Sequence, residues 1–360
     1  MTRFLLAGGG TAGHVNPLLA LADALIADDS SNQVWALGTR EGLESTLVPE
    51  RGYKLLTVER LPFPRKPSWY AVTFPFRFLR AIGQVKSYLK DNQIDVVVGF
   101  GGYASAPAYL AAKSLGIPSV VHEANALPGW ANKLGAKSAK AVGVTFKSTP
   151  IEKATFVGMP LRKEIEALAA GSDKESARLH FGLDPDTITL LVTGGSLGAK
   201  RINETIEKSR RVLSAAGIQV LHIMGGRSEL PEVHEKDYVR IAYCDRMDLA
   251  ISAANLGIAR SGSSTVCEFG AFGLPTVFVP YPVGNGEQRF NAAHLVEAGA
   301  AILIDDSKFD TAFVRDRVIP LISNTKKLKS MSAAARAASI SDGTDRLYRL
   351  IQGVLPRKGE

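Results

Sequence analysis

The chain is 360 residues long, 46% hydrophobic and 22% charged, with 34 glycines and a formal net charge of +8. That length favours two domains, each with its own core, and the composition excludes the disordered and fibrous classes. Its two cysteines, Cys244 and Cys267, have neither zinc-site nor disulfide-framework spacing, so a reducing compartment and no structural metal are expected.

The excess of bases leaves three partner classes open: nucleic acid, an anionic membrane, or polyanionic small molecules. No zinc-finger, helix-turn-helix or RNA-binding signature accompanies it, so no nucleic-acid partner is expected. The first apolar run is too short for a secretory signal, and the uncharged stretches 96–112 and 269–286 are broken by Gly and Pro. Residues alone therefore point to a soluble cytoplasmic protein.

Residues 3–7 (RFLLA) form the first predicted strand and run into GGGTAGH. Gly8-x-Gly10-x-x-Gly13 fits the letter of the dinucleotide fingerprint. A glycine loop at a helix N-terminus offers free N–H groups and the positive end of the helix dipole, so phosphate or diphosphate suits it. A helix is predicted over 17–27, with Leu18, Leu21, Ala22 and Leu25 on one face. The next strand, 33–37, ends in Gly38, Thr39 and Arg40, without the acid that a dinucleotide ribose demands. Glu41 and Glu44 come late for that role and Arg40 suits only a 2′-phosphate, so NAD(P) is not expected. His14, at the exit of the loop, either makes a local helix-start hydrogen bond or takes a proton from a hydroxyl. Strands 94–98 and 118–121 lead into GFGGYASAP with Tyr103 and into HEANALPG with His122, Glu123 and Asn125. Both strand ends read either as turn chemistry or as contacts in a ligand crevice.

A second alternating series follows at 188–192, 218–223, 256–259 and 275–279. LLVTGGSLG (190–198) repeats LLAGGGTAG (5–13) with Gly195 standing 185 residues after Gly10. Strands alternating with helices imply parallel sheets covered on both faces, so two doubly wound α/β domains are expected. The expected domains are 1–157 and 158–335, with an exposed helical segment at 164–180 and a C-terminal helix at about 336–355. In 259–295, Ser261–Thr265 offer hydroxyls and N–H groups at a helix start, and Glu268 follows Thr265 at capping-box spacing. Glu268 is thus either a cap or a carboxylate for the two ribose hydroxyls of a nucleotide. Glu287, Gln288 and Asn291 fall at the same sheet edge, where amides suit the hydroxyls of a hexose.

RSGSSTVCEFGAFGLPTVFVP, with GGGTAGHVNP, GGY, HEANALPG, VGMPLR and GGSLGAKRIN, closely resembles one bacterial family from Phe4 to about Leu295. It is that of the UDP-N-acetylglucosamine:undecaprenyl-diphospho-muramoylpentapeptide N-acetylglucosaminyltransferases. The resemblance implies a GT-B fold, two Rossmann-like domains with an interdomain cleft and a C-terminal helix that returns to the first domain. It implies inverting transfer of GlcNAc from UDP-GlcNAc to the C4 hydroxyl of the muramoyl sugar of lipid I, giving lipid II for peptidoglycan. It implies His14 as base and donor contacts at Thr11, Ala12, Gly13, Asn125, Arg162, Ser196, Ser263, Ser264, Thr265, Glu268, Gln288 and Asn291. Uracil would meet backbone near Cys244, and Gly9, Gly10, Tyr103 and Glu123 would face the acceptor and its diphosphate.

None of these motifs contains an Asp-x-Asp, so neither a metal nor another cofactor is implied. Leu197 stands where Gln is common in the family, Cys244 where an aliphatic residue is typical, and Gly286-Glu287 replaces a more amide- and base-rich pair. The implied acceptor is membrane-bound, placing the protein peripherally on the cytoplasmic face of the cell membrane, with cell-wall synthesis and division proteins as further partners. Residues 61–90 suit an anionic leaflet, with six aromatics within 63–78, a run of bases and no acid, although a core helix with a solvated basic side would read the same way. Two other functions share the pattern: another GT-B enzyme of UDP-GlcNAc, such as a 2-epimerase, or a non-catalytic nucleotide-sugar-binding subunit.

Overall fold

The computed structural model describes residues 1–355 except 65, 170, 172, 197, 227, 284 and 285. The chain divides into two compact units, Met1–Arg162 together with the segment from Asp342 onward, and Lys163–Ser341.

In the first unit the strands are β1 (Arg3–Ala7), β2 (Gln33–Gly38), β3 (Lys54–Thr57), β4 (Val96–Gly99), β5 (Ser119–Glu123), β6 (Ala141–Val144) and β7 (Thr155–Phe156). They pair in the order β3-β2-β1-β4-β5-β6-β7, all parallel. Runs such as Val96, Val97 and Val98 are buried on both faces, which is why they read as continuous apolar stretches instead of alternating ones. Phe4 and Leu6 face a core shared with Leu18, Leu21 and Leu25; Leu5 and Ala7 face the opposite one with Val85, Leu89, Ala108 and Ala112. The strand order reverses between β1 and β4, and β1 feeds the glycine loop at that switch point.

Local boundaries differ from expectation in instructive ways. The first helix spans Ala12–Asp28, not 17–27, because extended Thr11 is its N-cap and the glycine loop leads straight into it. Thus Ala12, Gly13 and His14 form its first turn. His122 and Glu123 lie inside β5, not after it. The segment 164–180 is two helices, Lys163–Ala169 and Lys174–His180, the second capped by Asp173, whose carboxylate accepts from Glu175 N and Ser176 N.

The second unit contains β8 (Ile188–Thr193), β9 (Ile218–Ile223), β10 (Val233–Glu235), β11 (Tyr238–Ile241), β12 (Leu256–Ala259), β13 (Thr276–Phe278) and β14 (Ala301–Leu303), in the order β10-β11-β9-β8-β12-β13-β14. All pairs are parallel except the β10–β11 edge hairpin. Its core joins Leu190 and Val192 of β8 to Ile202, Ile206 and Leu213 of the helix Lys200–Ala215.

Past the second unit the chain returns to the first. Helix Thr325–Ala338 belongs to the second unit, and a separate helix, Gly343–Gln352, packs on Ala12–Asp28 and buries Leu347 and Ile351 in the core with Phe4. Thr344 Oγ1 donates to Leu161 O at 3.1 Å, and a Cβ at Gly343 would strike Met159 backbone.

Candidate active site

At the end of β1, Gly8 and Gly9 are buried while Gly10 and Thr11 are exposed. The first helical bond runs from Val15 N to Thr11 O, so the Ala12 and Gly13 N–H groups lie outside the helical ladder. Thr11's side chain makes no cap bond. Gly10 takes φ +91°, where an L side chain would be strained. His14 Nδ1 lies 3.0 Å from Gly9 O. A carbonyl can only accept, so Nδ1 donates, and in the neutral ring Nε2 carries the lone pair. A Cβ at Gly101 would stand 3.2 Å from that Nε2.

Glu44, too late in sequence for a ribose, is fully buried behind this loop. Its Oε2 accepts from Gly10 N at 2.7 Å; its Oε1 accepts from Thr39 N at 2.7 Å and Thr39 Oγ1 at 2.9 Å. A Cβ on Gly9, Gly38 or Gly42 would collide with this carboxyl group. Sequence reading missed the role because the Gly10 N–H that the carboxylate holds lies 34 residues earlier in the chain.

The neighbouring strand ends are busy with their own loops. Glu123 is buried and accepts from Asn125 N at 2.9 Å, Gly129 N at 3.0 Å and Asn132 Nδ2 at 2.9 Å. It shapes the 124–132 turn, with Asn125 half-buried beside it. Tyr103 is half-buried under Arg60, whose guanidinium stands 5.3 Å from the ring centroid. His122 is no crevice residue. It is fully buried, hydrogen-bonds Gly158 O at 3.0 Å through Nε2, and burial pulls its pKa down to about 4, so it is a neutral core histidine. Arg162 follows β7 and is half-buried.

In the second unit the glycine turn after β8 is held by neutral groups. Thr193 Oγ1 accepts from Gly195 N at 3.2 Å, and Ser196 O accepts from Gly226 N at 3.0 Å. Leu197 lies outside the described residues. The helix Ser263–Phe272 starts from Gly262, so Thr265 sits within its first turn and Thr265–Glu268 is no capping box. Its ladder begins with Val266 N donating to Gly262 O, leaving the Ser263, Ser264 and Thr265 N–H groups outside the helical ladder. Ser261 Oγ and Ser264 Oγ are buried and have no protein partner. Both hydroxyls are therefore available to hydrogen-bond a ligand at this helix start. Glu268 is buried further along this helix, and Cys244 is buried in the turn after β11.

The two amides predicted to meet a hexose hold protein backbone. Asn291 is buried and donates through Nδ2 to Ser261 O at 3.2 Å, and Gln288 Oε1 accepts from Tyr281 N at 2.9 Å. Arg260 is likewise structural: Nη1 donates to Val279 O and Pro280 O at 3.0 Å and pairs with Asp306 at 2.6 Å.

Helix Trp69–Asp91 of the first unit carries the aromatic segment. Phe63, Phe74, Phe78 and Trp130 cluster, with ring centroids 5.1–6.3 Å apart, while Trp69 and Phe76 are 80% and 74% exposed. Val72 and Leu79 are exposed with them, making an apolar face larger than scattered surface residues provide. Arg77 is paired with Glu59, and Arg65 lies outside the described residues. No described helix is long and apolar enough to cross a membrane.

Two doubly wound units, each with a glycine turn at its switch point, and one with an open hydroxyl-lined helix start, define a nucleotide-sugar glycosyltransferase of GT-B fold. The glycosyltransferase family 28 N-terminal domain model matches residues 4–144, and the corresponding C-terminal domain model matches 189–347. The chain belongs to glycosyltransferase family 28. It is 52% identical to the UDP-N-acetylglucosamine--N-acetylmuramyl-(pentapeptide) pyrophosphoryl-undecaprenol N-acetylglucosamine transferase of Leifsonia xyli subsp. xyli, over 98% of each chain. The protein of that name from Clavibacter sepedonicus is 51% identical, over 98% of this chain and 96% of its own. The crystal structure of Acinetobacter baumannii MurG matches with a TM-score of 0.78 and 27% identity, covering 98% of this chain and 100% of that one.

Proposed function

We propose that this protein transfers GlcNAc from UDP-GlcNAc to the C4 hydroxyl of the muramoyl sugar in undecaprenyl-diphospho-MurNAc-pentapeptide, converting lipid I to lipid II in peptidoglycan synthesis. The observation that carries this reading is identity of 52% across 98% of a relative named for that transfer. The second unit holds the donor. Its diphosphate lies at the Ser263–Phe272 helix start, where the Ser261 and Ser264 hydroxyls gain partners, and Glu268 takes the ribose hydroxyls. Ser196, Thr265 and the backbone near Cys244 complete the donor contacts. Thr11, Ala12, Gly13, Asn125 and Arg162 supply the first unit's share. Gln288 and Asn291 act here by fixing the Tyr281 and Ser261 backbone beside the sugar.

The acceptor lies against Gly10 and Tyr103, with buried Gly9 behind them and Glu123 acting through the 124–132 turn that it holds. The acceptor's O4 attacks the anomeric carbon as the bond from that carbon to the β-phosphate oxygen breaks and UDP leaves with the electron pair. His14 Nε2, whose lone pair is fixed by the Nδ1 bond to Gly9 O, takes the O4 proton. The helix N-terminus and Arg162 meet the charge that develops on the leaving diphosphate.

Purified protein with radiolabelled UDP-GlcNAc, with and without a lipid I analogue, tests the reading. UDP release only with acceptor supports it. Turnover without acceptor would make it a 2-epimerase-like enzyme, and binding without turnover a non-catalytic subunit. The exposed Trp69, Val72, Phe76 and Leu79 face docks the protein on the anionic cytoplasmic leaflet, where the acceptor resides and where cell-wall synthesis and division proteins would meet it. Trp69→Ala and Phe76→Ala with Lys66→Glu and Arg80→Glu should abolish flotation with anionic liposomes; unchanged flotation refutes the docking.

A further inference from the structure

We propose that Glu44 is a positioning residue for the base, its buried carboxylate acting on His14 through the one peptide group that joins Gly9 to Gly10. Gly10 N–H and Gly9 C=O are the two ends of a single amide. Glu44 Oε2 accepts from the first at 2.7 Å, and His14 Nδ1 donates to the second at 3.0 Å. A negative charge at the N–H end polarises the amide and enriches its carbonyl oxygen, strengthening that oxygen's hold on the Nδ1 proton. Two consequences follow for the ring. The tautomer with its lone pair on Nε2 is favoured, and the positive charge that appears when Nε2 takes a proton is met by a carbonyl already backed by a carboxylate.

The surroundings fit this role better than simple loop support. Any neutral acceptor could satisfy one N–H, whereas an unneeded buried carboxylate is costly. Here three donated hydrogen bonds, from Gly10 N, Thr39 N and Thr39 Oγ1, hold the group, and Gly9, Gly38 and Gly42 leave it room. The carboxylate also stands behind a loop whose form invites anions, weakening its pull on phosphate. On β5, one strand beyond β4, the titratable groups are His122, kept neutral by burial, and Glu123, bound by Asn125, Gly129 and Asn132. That leaves Glu44 as the acid coupled to the ring through a shared peptide.

The inference rests on His14 being the base, and a double-mutant cycle separates the two claims. The full-length enzyme is assayed with UDP-GlcNAc and a lipid I analogue, as Glu44→Gln, His14→Ala and the pair. We expect Glu44→Gln to lower kcat about 10- to 100-fold with KM for UDP-GlcNAc unchanged. The acid limb of its kcat/KM profile should move down by about one pH unit. In a His14→Ala background the same change should cost nothing further. Ring 15N spectra should show His14 protonated on Nδ1 in the native protein and a larger share of Nε2–H in Glu44→Gln. An active His14→Ala would overturn the base itself. If His14→Ala is inactive but Glu44→Gln costs as much without His14 as with it, or leaves the ring tautomer unchanged, the relay is wrong. Should Glu44→Gln not fold, Glu44→Asp, which keeps the charge but withdraws it from Gly10 N–H, is read by the same 15N measurement, and an unchanged tautomer refutes the relay.

Discussion

At the end of β1 a glycine turn is braced by the carboxylate of Glu44; at the end of β8 the matching turn is braced by the Thr193 hydroxyl and by backbone. The two turns have related sequences and the same place at a sheet's switch point. Their electrostatics differ. A buried negative charge offsets the helix dipole at the first, which frees that loop to orient a histidine. The second keeps its N–H groups under a neutral brace, and the neighbouring Ser263 helix start adds two unpartnered hydroxyls. A glycine motif is thus a backbone shape, and the groups behind it decide whether it holds a base or an anion.

The sharpest way to break this contrast is His14→Ala. We expect kcat to fall by about 10²–10⁴ while UDP-GlcNAc affinity, measured by calorimetry, stays within about twofold. A loss under about tenfold removes the base from the first loop. Next come the glycines that abut each turn. Gly102 (φ +81°) and Gly225 (φ +86°) both pack against loop backbone, so alanine at either is strained and costs about 2–3 kcal/mol of stability. Gly102→Ala should mainly reduce kcat, and Gly225→Ala should mainly weaken donor binding; the opposite pattern would exchange the roles of the loops.

A third test concerns the buried histidines, one per unit. Burial lowers His122 to about 4 and His222 to about 3. Both folded values lie below the unfolded 6.5, so the unfolded chain binds more protons between them. Stability should therefore be full above about pH 6.5 and fall with acid at about 1.4 kcal/mol per pH unit for each histidine. His122→Asn and His222→Asn, followed by urea melts at several pH values, should flatten that slope; an unchanged slope rules the histidines out as its source. The smallest effects belong to Ser261→Ala and Ser264→Ala. Each should weaken UDP-GlcNAc binding about 5- to 15-fold, the worth of one hydrogen bond, with no loss in Tm, because neither hydroxyl has a protein partner. A fall in Tm with intact affinity would make them structural.

The sequence made the architecture readable because apolar strands and glycine turns are local signals. Val96–Val98, the repeat at 5–13 and 190–198, and the Leu18, Leu21, Leu25 face each carry their meaning within a few residues. What escaped depends on distant partners. Asn291 looks like a sugar-binding amide until its partner, the Ser261 carbonyl 30 residues earlier, is seen. Glu44 looks too late to matter until helix Glu44–Glu50 brings it under Gly10, 34 residues back in sequence. His122 looks like a crevice residue only while β5 is thought to stop at 121; extending the strand to Glu123 carries its ring into the core. The β10–β11 hairpin was missed because its strands are only three and four residues long, β11 being held by pairing to β9 and β10 by pairing to β11.

Helix Gly343–Gln352 gives the molecule an order of assembly. The second unit is one uninterrupted segment, so its core can close as soon as Ser341 has left the ribosome. The first unit, though synthesised earlier, lacks Leu347 and Ile351 until the second unit is already out, and its apolar face around Phe4 and Leu18 stays open meanwhile. The half made first is therefore finished last, and during translation it is the half most exposed to aggregation and in need of chaperone cover.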